Sequence, residues 1–467
     1  MRAPFDAAIA VNRFGLGARP AQLDGIGADG REWLRAQLRG TPPALTDAQL
    51  RPSQEILTQA LGVREQQRAQ RKLSTDPKAD NDVQQKLPQF LRPIYVSEVT
   101  ARLRQAVSTE RPFIERLTQF WTNHFAVSID KQFLSGLAGS FEREVIRPRV
   151  LGNFGDLLLA AESHPAMLLY LDNHLSVGPH SQLAQRRERR GAPRKIGINE
   201  NLAREILELH TLGVGGGYTQ KDVTTFAEVI TGWSIGGAEG GGFAGGEPGK
   251  FVFRAEQHEP GAKVILDRRY PEAGYGQGVA VLGDLAMHPS TAHFIATKLA
   301  RHFIADEPPR EAVTRLAAAF MASAGDLPTV YRALIDSREA WAQPLAKYKT
   351  PSDYIVSGFR GLALPVDPQH APLAPYELLG QRTWSPGSPA GWPDRSADWD
   401  GASALMKRIE WADALGQRLG NRCDAVKLAP QLLGANLSGA TASAVGHAAS
   451  AAQAVTLLLA SPEFMRR

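Results

Sequence analysis

The chain has 467 residues, 43% of them hydrophobic and 22% charged, with a net charge of +5, a balance that excludes disordered and collagen-like classes. Its single cysteine, Cys423, excludes an intrachain disulfide and a cysteine-only zinc site. No stretch approaches the ~20 apolar residues of a membrane span.

At the start, the apolar run 7–11 is closed by Asn12-Arg13 and is too short for a signal peptide. The expectation is a soluble protein of the cytoplasm, reaching the periplasm only by export with a partner. Residues 32–38, around Trp33, predict a short amphipathic helix stopped by Pro42-Pro43. Residues 64–87 are rich in Arg, Lys, Gln and Asp and predict a polar excursion or linker. Residues 111–128 predict a strong helix, with Phe113, Leu117, Phe120, Trp121, Phe125 and Val127 on one stripe and Glu115, Arg116, Gln119 and Asn123 opposite. A helix pair comes next at 141–147 and 154–171, broken near Ser163-His164-Pro165.

Residues 174–197 lack periodicity and hold Arg186, Arg187, Arg189, Arg190, Arg194 and Lys195, which predicts a basic loop. Asn199 then caps a single helix over 199–213. Thr219 and Asp222 have capping-box spacing and open the next helix, 220–232. The glycine-rich stretch 236–249 predicts an irregular loop. Phe251-Val252-Phe253 and Val264-Ile265-Leu266 predict one lone hairpin, so 236–266 is read as an insertion of loop and hairpin. Helices are expected at 291–303, 310–322 and 327–337, and the N-terminal cap Thr350-Pro351-Ser352-Asp353 opens another. Residues 381–400, with Trp384, Trp392 and Trp399, predict an ordered loop, and 451–460 a closing helix. The fold class is mainly α: one large helical fold over 1–467, carrying a small β-hairpin and a glycine-rich loop.

Chemistry is sought where ionisable residues fall on apolar faces. At about 100° per residue, Leu202, Ile206, Leu207, Leu209 and Leu212 share one arc of the 199–213 helix, with Glu205 and His210 near its flanks. A charge turned towards a core costs several kcal/mol unless it is paired, so such positions mark polar networks of structure or chemistry. His124 sits at the centre of the apolar stripe of 111–128, either as a buried neutral imidazole bonded to a carbonyl or as a general base or ligand. Glu205 and His210, five apart and roughly 140° around the helix, are not expected to bind one metal by themselves and match neither His-Glu-x-x-His nor Glu-x-x-His, so a metal would need ligands from elsewhere, such as His124, Asp172 or His164. A salt bridge from Glu205 to a buried arginine is the structural alternative. Glu200, Arg204 and Glu208 have the spacing of a surface ion ladder, and Arg204 is also a candidate for an anionic substrate group. Asp172-Asn173-His174 reads as a helix end and turn, with Asp172 and Asn199 as supporting site residues. The arginines of 186–195 lack the interleaved aromatics of a nucleic-acid platform. No Gly-x-Ser-x-Gly elbow and no P-loop occur.

Several of these segments carry a likeness. Arg13-Phe14-Gly15-Leu16-Gly17, Phe120-Trp121-Thr122-Asn123-His124-Phe125, the run from His164-Pro165 to Asp172, and the runs Asn199–Glu205 and Glu208–Val214 resemble the bacterial domain-of-unknown-function 1800 family. Thr231-Gly232-Trp233, Lys349-Thr350-Pro351, Pro389-Ala390-Gly391-Trp392-Pro393 and Ser461-Pro462-Glu463-Phe464 extend the likeness nearly end to end. Glu259 stands where Asp is expected and Asp267 where Gly is expected. The resemblance implies a mainly helical bacterial protein, often encoded beside an exported alkaline-phosphatase-like protein of the domain-of-unknown-function 1501 family.

Two functions from different classes are consistent with these residues. One is an enzyme, hydrolytic or metal-dependent, acting on a cell-envelope substrate. His124, Glu205 and His210 would then be acid–base groups or the ligands of a divalent or iron ion, with Asp172, Asn199 and Arg204 in support. The other is a non-catalytic partner or escort of the exported alkaline-phosphatase-like protein. Nucleic-acid binding rests on basic charge alone and is the weakest reading.

Overall fold

Helices succeed one another along almost the whole chain, because apolar residues recur at three- and four-residue spacing and breakers gather in the turns. The computed structural model describes residues 5–47, 49–73, 77–191, 197–237, 245–342, 345–367 and 373–467. Among them, no helix is long and apolar enough to cross a membrane. The polar stretch 64–87 belongs to two long helices, Ser53–Leu73 and Pro77–Ser108, with residues 74–76 outside the described set.

The Pro112–His124 helix runs through the middle of the core. Proline at its first turn has no N–H to leave unpaired. Phe113, Leu117, Phe120 and Trp121 are buried on one face, each contributing roughly 1.5–3 kcal/mol of apolar burial. Trp121 Nε1 donates to the Tyr331 hydroxyl at 2.6 Å, so its one polar atom is satisfied. The opposite face is buried as well. There Glu115 pairs with Arg147 at 2.5 Å and Arg116 with Asp353 at 3.1 Å. The helix stops at His124, short of the expected 128, when Phe125 leaves helical geometry.

Downstream come helices Phe154–Glu162 and Pro165–Tyr170, separated where His164 Nδ1 accepts from the Ala166 N–H. The expected basic loop at 174–197 contains a helix, Gln182–Arg189, capped by Ser181. Gln, Arg and Glu are good helix formers, and with no buried residue this helix has no apolar stripe to betray it. Arg194 and Lys195 lie outside the described residues. The expected single helix over 199–213 is an α-helical piece, Asn201–Glu205, continued by a π turn, Ile206–His210. Asn199 Oδ1 accepts from the Asn201 N–H at 2.9 Å, so it satisfies the helix start, though Glu200 occupies the formal cap.

Strands are few. Trp233–Ile235 pairs antiparallel with Phe251–Phe253, and Lys263–Ile265 with Arg268–Tyr270. The single hairpin expected from 251–253 and 264–266 is thus two separate ribbons, because each run has a nearer partner. Leu266 and Asp267 turn the second ribbon at φ of 51° and 60°, the left-handed pair that matches strand twist. Aspartate tolerates this where glycine is expected. Of the glycine-rich loop, residues 238–244 lie outside the described set.

Two further elements frame the site. The Pro289–Phe303 helix packs beside Pro112–His124 through Phe303 against Phe113 and Phe14, with ring centroids 5.7 and 5.8 Å apart. The Pro351–Gly361 helix, capped by Thr350, sits on a second buried cluster that includes Tyr354, Trp411, Leu458 and Phe464.

Candidate active site

His124 and His210 come together, their ring centroids 6.0 Å apart. His124 Nε2 lies 3.1 Å from the His210 carbonyl oxygen. A carbonyl only accepts, so the proton is on Nε2 and Nδ1 carries the lone pair. Burial, then Lys298 and His210, pushes the His124 imidazole well below its ordinary range, and it is neutral. His210 Nδ1 lies 2.8 Å from Glu162 Oε1. The approach is close, but the two atoms are poorly aligned for a hydrogen bond. Both side chains are buried. Glu162 is the acidic partner that sequence periodicity did not single out.

Of the other expected site residues, Glu205 is within electrostatic reach of His210 and Glu162, and Arg204, Asp172 and Asn199 are engaged elsewhere. Glu205 is half-buried one turn before His210, and burial is the main influence raising its carboxyl. Arg204 forms the expected i, i+4 pair with Glu200 at 2.9 Å and also bonds Gln220. Asp172, at φ 58°, pairs with Lys131 at 2.6 Å. Asn199 stays at its helix start, bonded to the Asn201 N–H. Among the described residues, no group of three or more His, Cys, Asp or Glu side chains is placed to hold a metal ion.

The polar cavity lies on the other side of Asn123. Its volume is about 90 Å³, and its walls come from the Pro112–His124 helix, the start of Pro351–Gly361 and the 381–394 loop. Gln119, His302, Thr383 and Trp384 line it. Gln119 Nε2, His302 Nε2, Thr383 Oγ1 and Trp384 Nε1 are buried and have no hydrogen-bond partner among the described residues. Buried polar atoms are nearly always satisfied, and each exception calls for an occupant or a role. Four around one cavity mark a built polar site.

Its electrostatics centre on two carboxylates. His302 Nδ1 lies 3.0 Å from Asp394 Oδ1. Burial pushes the His302 imidazole down to about 4, with Asp394 opposing and Arg467 assisting. Burial alone would raise the Asp394 carboxyl, but His302, Lys347 and Arg467 hold it well below the usual range. Near neutral pH the pair is therefore an aspartate and a neutral imidazole. The aspartate fixes the Nδ1–H tautomer and leaves the Nε2 lone pair free. Asp353 is held low in the same way: burial works against its charge, and Arg116 and Arg467 outweigh it. Arg467 Nε approaches it to 2.8 Å.

One loop closes the site. Asn123 Oδ1 accepts from the Trp392 N–H at 2.7 Å, and its Nδ2 donates to the Trp392 carbonyl at 3.0 Å. Beyond this latch is a larger cavity of about 620 Å³, sharing Asn123, Trp392, Pro393 and Asp394 with the first. Sequence reasoning missed His302, Asp353 and Asp394. Asp353 was legible only as a residue of a helix start. His302 sits at the end of an ordinary amphipathic helix. Asp394 comes directly after the Gly391-Trp392-Pro393 signature, and ordered loops of that kind often carry function.

No curated protein and no solved structure matches the chain. The family model described as a protein of unknown function, DUF1800, matches residues 9–466, nearly the whole length; the chain belongs to that family.

Proposed function

We propose that the protein is an enzyme using acid–base chemistry, hydrolytic in outcome, with His302 as the base and Asp394 as its orienting partner. The observation that carries this reading is the free Nε2 of His302 in the wall of the polar cavity, with Nδ1 held 3.0 Å from Asp394. A carboxylate behind an imidazole whose other nitrogen is free is the arrangement general-base catalysis requires. No described serine, threonine or cysteine bonds Nε2. The base therefore acts on a water or on the substrate, not on a protein nucleophile. With its imidazole near 4, the base form is fully populated at neutral pH. Such a weak base suits a proton that is already acidified by its neighbours.

The sealed pair His124–His210 with Glu162 is one residue behind Asn123 and serves to hold that helix end in place. The substrate's origin in the cell envelope is part of the proposal, and the family resemblance is its only support. The test is a panel of aryl esters, glycosides, phosphate esters and envelope polysaccharides, assayed with wild type, His302→Gln and Asp394→Asn. An activity that falls by roughly 10²-fold or more in His302→Gln, with unchanged melting, is the expected result. If both variants fold normally and keep every activity of the wild type, the proposal fails and an escort role becomes the better reading.

A further inference from the structure

Lys298 and Arg301 stand one turn apart on the Pro289–Phe303 helix, and both line the 620 Å³ cavity. Neither is in ion-pair contact with a carboxylate among the described residues, Asp394 acting on Lys298 only from a distance. Lys298 Nζ is 5.5 Å from the Phe294 ring centroid, and Arg301 Nε donates only to the Asp306 carbonyl at 3.3 Å. The one acid in this wall is Asp394, whose Oδ1 is engaged by His302 and whose backbone carbonyl accepts from Lys347 at 2.6 Å. The rest of the lining is neutral: Leu209, Phe294, Trp392 and the small residues of 387–391.

Half-buried cations with no carboxylate in direct contact are costly. The cost is visible in Lys298, whose amine burial pushes down to about 8, with Asp394 opposing and Arg301 assisting. An ammonium and a guanidinium on one wall suit an anionic oxygen group, the ammonium as a point charge and the guanidinium as a two-pronged donor.

We propose that this cavity is an anion subsite, in which Lys298 and Arg301 take the carboxylate or phosphate of a substrate. Bound there, the anion places the rest of the molecule against Trp392 and the Asn123 latch, beside Asp394, the acidic residue among the four common to both cavities. The substrate class is then an acidic one, such as a uronate or a phosphorylated sugar. The placement relative to His302 rests on the proposed enzymatic role; the anion binding does not.

The experiment is calorimetric titration with two probes, inorganic phosphate and glucuronate, on wild type, Lys298→Met, Arg301→Met and His302→Gln. Saturable binding of at least one probe is expected, weakened at least tenfold in Lys298→Met, weakened in Arg301→Met and kept in His302→Gln. Which probe binds separates a phosphate from a carboxylate ligand. Lys298→Arg, which keeps the charge, should bind as well. A measurement on the unaltered protein guards against misfolding: the bound probe should shield Lys298 from carbamylation by cyanate. Wild type that binds neither probe, binding indifferent to Lys298→Met in folded protein, or carbamylation at one rate with and without probe would each overturn the subsite. Loss of the subsite with activity still dependent on His302 would leave the enzymatic reading standing. Intact binding with activity indifferent to His302 would do the reverse.

Discussion

Asn123 holds the main chain of Trp392 by both ends of its carboxamide, accepting at 2.7 Å and donating at 3.0 Å. The contact joins a helix end to a loop 269 residues later, and it forms the wall between the two cavities. Asn123→Ala removes both bonds and leaves a main-chain donor and acceptor without their partner. The expected cost is about 1–3 kcal/mol in chemical denaturation. Trp392 should also become more accessible to acrylamide quenching, in a background where the other tryptophans are replaced one at a time. An unchanged quenching profile would contradict the latch.

Gly391 tests the same contact from the loop. Its φ is 83°, and a Cβ there would collide with the carbonyl oxygen of Asn123. Gly391→Ala therefore adds left-handed strain of order 1–2 kcal/mol to a clash with backbone. The expected outcome is a loop displaced from Asn123, and a larger loss of stability than Gly387→Ala, where a Cβ meets open space. Equal melting of the two variants would speak against it.

His302 gives a pH dependence with a definite sign. Its folded value, about 4, lies below the ordinary 6.5. Between those values the unfolded chain binds more protons than the folded one, so stability rises with pH through that window. The contribution is complete above about pH 6.5 and is lost as pH falls through 4. Asp394, also held low, acts in the same direction at more acid pH. At about 1.4 kcal/mol per unit, His302 accounts for roughly 2–3 kcal/mol between pH 7 and 4. Urea denaturation across this range should show a shallower pH slope for His302→Gln than for wild type. Parallel slopes would mean that the imidazole is not held neutral.

The contact between His210 and Glu162 is fully buried. Removing one member alone strands the other, at a cost of about 3–5 kcal/mol. Replacing both by apolar residues of similar size should cost clearly less than the two single losses combined. A double-mutant cycle of Glu162→Leu and His210→Leu measures the coupling, and strict additivity would show that the pair does not interact.

Much of the fold was legible because helices announce themselves by spacing and caps. Thr219 with Asp222, Thr350 before Pro351, and the stripe from Phe113 to Trp121 all lie where their patterns put them. The Gln182–Arg189 helix was hidden because Leu183 and Ala184 alone break its polar run, and the ribbons because strands of three residues carry too little pattern. In the site, a buried imidazole with a carbonyl partner was one of the two readings that the place of His124 on an apolar stripe left open, and its burial and carbonyl contact agree with it. Glu162 did not stand out, since a lone glutamate closing an apolar helix looks like any exposed helix end. The His302–Asp394 pair joins residues 92 positions apart, and no local period reports such a meeting. Arg116 and Asp353 were masked by ordinary roles, one as a polar-face residue and one as a capping residue.

Ile206–His210 contains one residue more than an α-turn absorbs. Deleting Leu207 or Glu208 would let the turn close with ordinary i→i+4 bonds, and helix propensity would not suffer. Everything beyond it would nevertheless swing by about 100°. His210 would leave Glu162 and withdraw its carbonyl from His124, and Gly213 would leave the face of the Phe294 ring that it abuts. In this chain a lost codon at that turn is therefore more damaging than most substitutions there, because the surplus residue sets the rotational phase of the downstream chain.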